Sequence, residues 1–151
     1  MRKTLCLIVL LFIVVVSNAQ RPDPVHWKTT YVSTGDKSGE LHFTATIDKS
    51  WHIYAQVQPK EAVAVPTKFV INTNPLVTVT GKAKEIGKKE TYKNKEVGIT
   101  QFQYGDKVEF VQTITLKAKV KTNIAGTITY QACNEELCLP VKTISFNLSI
   151  Q

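Results

Sequence analysis

Residues 108–120 have the sequence VEFVQTITLKAKV, and its alternation indicates the fold class. Every second residue from Val108 onward is apolar except Gln112, whereas lysines occupy the intervening positions near the end of the stretch. A period of two residues is typical of a β-strand with one buried face. Residues 41–47 and 144–150 show the same alternation, so the sequence predicts several strands of this kind.

The rest of the chain contains almost no helical periodicity and is rich in threonine and valine, which favours strands throughout. Gly, Pro, Asn and Asp between the apolar stretches indicate turns. Eight or nine strands in a chain of 151 residues predict one all-β domain, a sandwich of two antiparallel sheets. The further strands are predicted at residues 26–33, 51–54, 67–72, 77–86, 99–104, 126–133 and 141–150.

Positive charge is spread over the chain, which has a formal net charge of +7. The lysines are scattered rather than arranged in a stripe, so nucleic acid is not an expected partner. The charge instead aids solubility or steers an acidic protein partner. Residues 87–98 combine several lysines with few apolar residues and are predicted to form a long exposed loop, with a partner contact as the alternative.

The N-terminus has the pattern of an export signal. Two basic residues precede an unbroken apolar run at residues 5–16, and the small-residue motif Ser17-Asn18-Ala19 follows. This pattern predicts a signal peptide at residues 1–19 and a mature domain at residues 20–151 that begins at Gln20. The run is much shorter than the roughly 20 residues of a membrane-spanning helix, although an uncleaved anchor is the alternative. We expect a periplasmic or secreted bacterial protein without stable membrane insertion after cleavage.

The sequence lacks the motifs of common enzyme classes. It contains no glycine-rich phosphate loop, no evident nucleophile with a histidine base and no paired-carboxylate motif of a hydrolase. His26, His42 and His52 occur singly on separate predicted strands, without the spacing of metal ligands. We therefore expect neither a metal nor another cofactor.

Two cysteines remain after signal cleavage, because Cys6 lies in the apolar run. Cys133 and Cys138 flank a short turn between two predicted strands, where facing Cα atoms lie about 4.5–5.5 Å apart. In an exported protein such a pair indicates a disulfide. Glu135 and Glu136 within the turn disfavour a thiolate in the reduced pair.

The size of the disulfide ring bears on its purpose. A ring of about six residues stabilises a fold by only about 2 kcal/mol, against nearly 5 kcal/mol for a ring of about a hundred. A short surface disulfide is also accessible to another protein's thiolate. These points favour a thiol–disulfide oxidoreductase, and the alternative is an exported binding or adhesion module whose hairpin disulfide is purely structural.

The cysteine hairpin carries a family resemblance. Tyr130-Gln131-Ala132-Cys133, the acidic insert and Cys138-Leu139-Pro140, with Trp51-His52-Ile53-Tyr54 upstream, resemble the N-terminal periplasmic domain of the bacterial thiol:disulfide interchange protein DsbD. The resemblance covers nearly the whole mature chain as a stand-alone domain, although the insert between the cysteines is one residue shorter than is usual in the family. It implies an immunoglobulin-like sandwich with a redox-active cysteine pair. The implied flanking residues are Tyr130, Glu135, Glu136, Pro140, Trp51 and Tyr54.

The resemblance also implies the function. In that family the domain takes electrons from a membrane-embedded partner and passes them to thioredoxin-like proteins of the periplasm, so we expect partners of both kinds and a monomeric domain. It further implies that Cys138 forms the bond to the partner and that Cys133 resolves it. Pro140 supports this order, since it indicates an exposed edge next to Cys138 whereas Cys133 ends an interior strand.

The family shields its cysteines with an aromatic side chain on a cap loop until a partner displaces it. The corresponding region of this chain is Phe102-Gln103-Tyr104-Gly105, so Phe102 or Tyr104 is the expected shield. The alternative is that both side chains face the core or an edge of the sheet.

Overall fold

The computed structural model describes residues 23–119 and 121–150, and the predicted signal peptide lies outside these ranges. The described residues form strands whose pairings are all antiparallel. No helix in this part of the chain is long and apolar enough to cross a membrane. The strands are β1 (Val25–Gly35), β2 (Ser38–Ile47), β3 (His52–Tyr54), β4 (Lys68–Ile71), β5 (Val77–Val79), β6 (Lys84–Gly87), β7 (Glu90–Asn94), β8 (Ile99–Tyr104), β9 (Lys107–Leu116), β10 (Thr122–Tyr130), β11 (Ala132–Cys133) and β12 (Lys142–Ile150).

Two of the three hydrogen-bonded sheets form a sandwich. The first has the order β1-β2-β9-β5, with β6 also paired to β9, and the second has the order β12-β10-β4. The ring centroid of Phe43 on β2 lies 4.7 Å from that of Phe69 on β4 and 4.9 Å from that of Phe146 on β12. The two sheets therefore face each other across a shared core, which confirms the predicted all-β sandwich.

The buried faces of β2 and β9 are those that the alternation predicts. Phe43 on β2 and Phe110 and Ile114 on β9 are fully buried. Gln112 interrupts the apolar face of β9 and is also buried. Its side-chain amide donates a hydrogen bond of 2.8 Å to the backbone oxygen of Thr80. A buried amide is tolerated where its hydrogen bonds are satisfied.

The third sheet, with the order β11-β3-β8-β7, positions the cysteines. The prediction of two sheets did not include it. This sheet is connected directly to both sheets of the sandwich. β8 ends at Tyr104, shortly before β9 begins at Lys107, and a single residue separates the end of β10 at Tyr130 from the start of β11. The sheet that carries Cys133 is therefore anchored to two long strands of the core.

Four segments differ markedly from the sequence prediction. The strand predicted at residues 126–133 begins at Thr122 and is split at Gln131 into β10 and β11. The strand predicted at residues 77–86 is split into β5 and β6, since Gly81 has a φ of 66° that a continuous strand does not contain. The strand predicted at residues 108–120 ends at Leu116, beyond which neither β2 nor β5 continues to pair with it. The loop predicted at residues 87–98 contains β7, an exposed edge strand that backbone hydrogen bonds to β8 hold in place without an apolar face.

Candidate functional site

Cys133 and Cys138 form the predicted disulfide. Their Cα atoms are 4.0 Å apart, slightly closer than predicted, because the two residues face each other in an antiparallel bridge across a tight turn. The backbone N–H of Asn134 donates to the carbonyl oxygen of Leu137 at 2.9 Å. The Asn134 side-chain oxygen also accepts hydrogen bonds from the N–H groups of Glu136 and Leu137, at 2.9 and 2.8 Å. These bonds hold the turn, and with it the position of Cys138, in one conformation.

The two cysteines differ sharply in exposure. Cys133 ends β11, pairs with His52 on β3 and is 1% exposed. Cys138 lies after the turn, outside the strand, and is exposed. An incoming thiolate must approach along the S–S axis toward a sulfur that is not covered. Cys138 meets this condition better than Cys133.

A cleft of about 570 Å³ lies beside the disulfide. One wall is a single face of the third sheet, because side chains alternate between the two faces along each strand. In the register of this sheet Tyr54 pairs with Gln103, Gln103 with Glu90, and Gln101 with Tyr92, so these residues share the cleft face. The other lining residues are Ser50, Trp51, His52, Gly105, Cys133, Asn134, Glu135 and Cys138.

His52 and Tyr54 form a polar pair within this cleft. His52 Nε2 lies 3.2 Å from Tyr54 Oη, and the two rings meet edge to face with centroids 5.3 Å apart. Burial raises the pKa of the Tyr54 phenol. Burial also lowers the pKa of the His52 imidazole, and the Glu90 carboxylate opposes that shift. No group of three or more His, Cys, Asp or Glu side chains suited to a metal ion occurs among residues 23–119 and 121–150.

The predicted flanking residues lie on two sides of the cysteine hairpin. Those that line the cleft are Trp51, Tyr54 and Glu135. Glu136 is exposed in the turn beside them. Tyr130 and Pro140 instead line a separate pocket of about 270 Å³, and Tyr130 is 2% exposed. The Tyr130 ring therefore supports the hairpin from the core, away from the cleft.

Both candidates for the shield lie on the face of β8 opposite the cleft. Tyr104 is 2% exposed in the core, and its hydroxyl donates a hydrogen bond of 2.7 Å to the Glu85 carboxylate. Phe102 packs against the core, and Lys89 Nζ lies 5.3 Å from its ring centroid. The lining of the cleft includes neither residue. This arrangement agrees with the alternative that both side chains face the core or an edge of the sheet. It does not support the expectation that Phe102 or Tyr104 covers the disulfide.

Tyr92 on β7 is an aromatic residue of the cleft that the sequence analysis missed. It is 45% exposed and lies on the same face as Glu90, two residues earlier. The interpretation of residues 87–98 as a loop concealed it. Residues 90–94 lie close enough to β8 in the sequence to form a hairpin with it. They contain too few apolar residues to be recognised as a strand from the sequence.

Solved structures with a similar fold include two N-terminal domains. The N-terminal domain of DsbD from Neisseria meningitidis, in its reduced form, matches with a TM-score of 0.52 at 17% identity, over 87% of this chain and 91% of that one. The N-terminal periplasmic domain of ScsB from Proteus mirabilis matches with a TM-score of 0.55 at 17% identity, over 84% of this chain and 47% of that one. This chain thus spans about half the length of the ScsB domain. At this identity the likeness shows the fold, an immunoglobulin-like β-sandwich.

A family comparison covers nearly the whole chain. No protein of curated function matches the sequence significantly. The family model of the N-terminal region of the thiol:disulfide interchange protein DsbD matches residues 20–150, a range that includes both cysteines and the cleft. With this match and the shared sandwich fold, the chain belongs to the family of DsbD N-terminal domains.

Proposed function

We propose that this protein is a periplasmic thiol–disulfide exchange module that relays electrons through Cys133 and Cys138. Family membership supports the type of reaction, and the disulfide beside the cleft supplies the reacting bond. The observation that carries the proposal is the unequal exposure of the pair, with Cys133 1% exposed and Cys138 open to solvent. A purely structural disulfide does not require one accessible sulfur beside an open cleft.

The exchange reaction assigns a different role to each cysteine. A thiolate of a reduced partner attacks Cys138 Sγ, the Cys133–Cys138 bond breaks, and Cys133 leaves with the electron pair as a thiolate. The partner's second thiolate then attacks the partner's first sulfur, which is bonded to Cys138 Sγ, and Cys138 leaves as a thiolate. The partner is released in its oxidised form, and both cysteines of the domain are reduced. The reverse sequence passes the same two electrons and two protons to the disulfide of the next partner.

The proposed partners are thioredoxin-like proteins of the periplasm and a membrane-embedded electron donor. The resemblance of the cysteine hairpin to the DsbD domain supports both, and the predicted signal peptide supports export. The cleft supplies a concave surface next to Cys138 on which a partner can dock. We propose that Tyr92 restricts access to the cysteines from the side of the cleft, because it lines the cleft from β7, which within the described residues pairs with β8 alone and can move at low cost.

Two single-cysteine variants of the mature domain test these roles. Cys133→Ala leaves the exposed Cys138, and Cys138→Ala leaves the buried Cys133. Each variant is incubated with a thioredoxin that lacks its own resolving cysteine and is activated with thionitrobenzoate, and the rate of mixed-disulfide formation is followed by mass spectrometry. Because a thiolate reacts only where it can be reached, Cys133→Ala should form the mixed disulfide at least about tenfold faster than Cys138→Ala.

The wild-type disulfide provides the companion measurement. Reduced thioredoxin should reduce it within minutes at micromolar concentration, and both thiols should then be titratable without unfolding. Equal trapping by the two variants would overturn the assignment of roles. Resistance of the folded wild-type disulfide to thioredoxin would overturn the exchange function and favour a binding module with a structural disulfide.

A further inference from the structure

His52 lies directly across the strand pair from Cys133. The β3–β11 register places the two residues opposite each other, so their side chains project from the same face of the sheet. Facing residues of an antiparallel pair have Cβ atoms about 4.5–5.5 Å apart. Both residues also line the cleft, whereas His26 and His42 belong to the sandwich strands β1 and β2. His52 is thus the histidine adjacent to the redox cysteines.

The exchange reaction requires proton transfer at this position. After Cys138 has formed a mixed disulfide with a partner, Cys133 must lose its thiol proton before it can attack. Cys133 is 1% exposed, and burial disfavours a thiolate because the charged sulfur loses its hydration. A base on the cleft face, opposite Cys133 in the strand pair, removes the need for water to reach the thiol.

We propose that His52 accepts the proton of the Cys133 thiol when Cys133 resolves a mixed disulfide at Cys138. This inference rests on the proposed exchange function and goes beyond it by naming the residue that moves the proton. In the step, the Cys133 proton passes to the neutral imidazole and the thiolate attacks Cys138 Sγ. The Cys133–Cys138 bond forms as the bond from Cys138 to the partner breaks. The partner leaves as a thiolate with the electron pair and takes up one proton.

Tyr54 sets the orientation of the base. His52 Nε2 lies 3.2 Å from the Tyr54 hydroxyl oxygen, which accepts the Nε2–H of one neutral tautomer. In that tautomer Nδ1 carries the free lone pair, and Nδ1 has no hydrogen-bond partner within the described part of the chain. Tyr54 is 3% exposed and remains a neutral phenol, so the pair holds no competing charge. The hydrogen bond therefore leaves one ring nitrogen free to accept a proton.

The charged and titratable groups around His52 determine its protonation. Glu90 and Tyr92 face the cleft from β7, and Glu135 faces it from the cysteine turn. Burial lowers the pKa of His52 and exceeds the opposing effect of the Glu90 carboxylate. The imidazole is therefore neutral at pH 7 and able to accept a proton, and this capacity is lost as the pH falls through its lowered pKa.

Rapid mixing of the reduced mature domain with the aromatic disulfide dithionitrobenzoate separates the two chemical steps. Attack by Cys138 releases the first equivalent of thionitrobenzoate, and resolution by Cys133 releases the second. In the wild type the rate of the second release should rise as the pH passes the lowered pKa of His52 and then level off, because His52 is neutral at higher pH. Without a base it should rise about tenfold per pH unit toward the ordinary thiol pKa of about 8.5.

His52→Gln should slow the second release about tenfold or more at pH 7 and remove the plateau, whereas the first release serves as an internal reference. His26→Gln is the matched control, since His26 is exposed and bound to Asp48 at 3.0 Å, away from the cleft. Circular dichroism of each variant checks folding, and the wild-type pH profile tests the inference even where His52→Gln is unstable.

The outcomes separate the two proposals. The role of His52 would be overturned if the wild-type profile had no plateau. It would also be overturned if the second release in folded His52→Gln were within twofold of the wild type at every pH. Either result would leave the exchange function standing. Absence of any second release in the wild type would overturn the exchange function itself.

Discussion

Reduction of the Cys133–Cys138 disulfide should lower the melting temperature of the mature domain by only about 7 °C and leave the fold intact. The reason is that the hairpin does not depend on the bond. Strands β10 and β12 are paired without interruption from Thr122 and Ile150 to Tyr130 and Lys142, which lie a few residues before Cys133 and a few residues after Cys138. Backbone hydrogen bonds and a buried core therefore hold together the chain segments that the disulfide joins.

The magnitude follows from the size of the ring. The cysteines are separated by 5 positions, so the chain-entropy model assigns the closed ring about 2 kcal/mol of stabilisation. Unfolding entropy of about 2.1 cal/mol/K per residue gives roughly 270 cal/mol/K for a domain of about 130 residues. The ratio of these two quantities is a shift of about 7 °C. A structural disulfide on which a small secreted domain depends is worth about 2–5 kcal/mol, and its loss often abolishes folding.

Differential scanning calorimetry of residues 20–151, with and without a phosphine reductant, measures this shift. Thiol titration of the same samples establishes that reduction is complete. The double variant Cys133→Ala/Cys138→Ala is the control, because its melting temperature should not respond to the reductant. Loss of the cooperative transition on reduction, or a decrease of more than about 20 °C, would refute the argument that the ring contributes little.

Three further expectations concern the cleft, the sandwich and the N-terminus. Tyr92→Ala should speed alkylation of the reduced cysteines by iodoacetamide several-fold whereas Tyr92→Phe should not, and equal rates for all three proteins would exclude shielding by this ring. Gly126→Ala should destabilise the domain by about 1–3 kcal/mol, since the added Cβ would clash with the backbone oxygen of Val70 on the neighbouring strand. An unchanged midpoint of urea denaturation would contradict that close approach. The intact mass of the exported protein should match a chain that begins at Gln20, and retention of residues 5–16 would contradict cleavage.

Local alternation was sufficient to predict the strands that bury one face in the sandwich. On β2, and on β9 except at the buried Val111, each residue between two core residues is more exposed than its neighbours, so the burial of Phe43 and Phe110 follows from sequence period alone. The disulfide was equally local, because any tight hairpin brings Cys133 and Cys138 together. The same reasoning failed for β7, whose exposed residues carry no alternation and whose existence depends on backbone pairing with β8.

The sequence by itself therefore determined the all-β sandwich, the cysteine pair and the family resemblance, since each depends on short segments of the chain. Pro140 and the predicted interior strand before Cys133 also indicated which sulfur is exposed. Tertiary structure alone decided that Phe102 and Tyr104 face away from the cleft and that His52 faces Cys133. These features depend on the register between strands that are distant in sequence. A shift of one residue moves every side chain to the other face of the sheet, and packing of the whole domain selects the register.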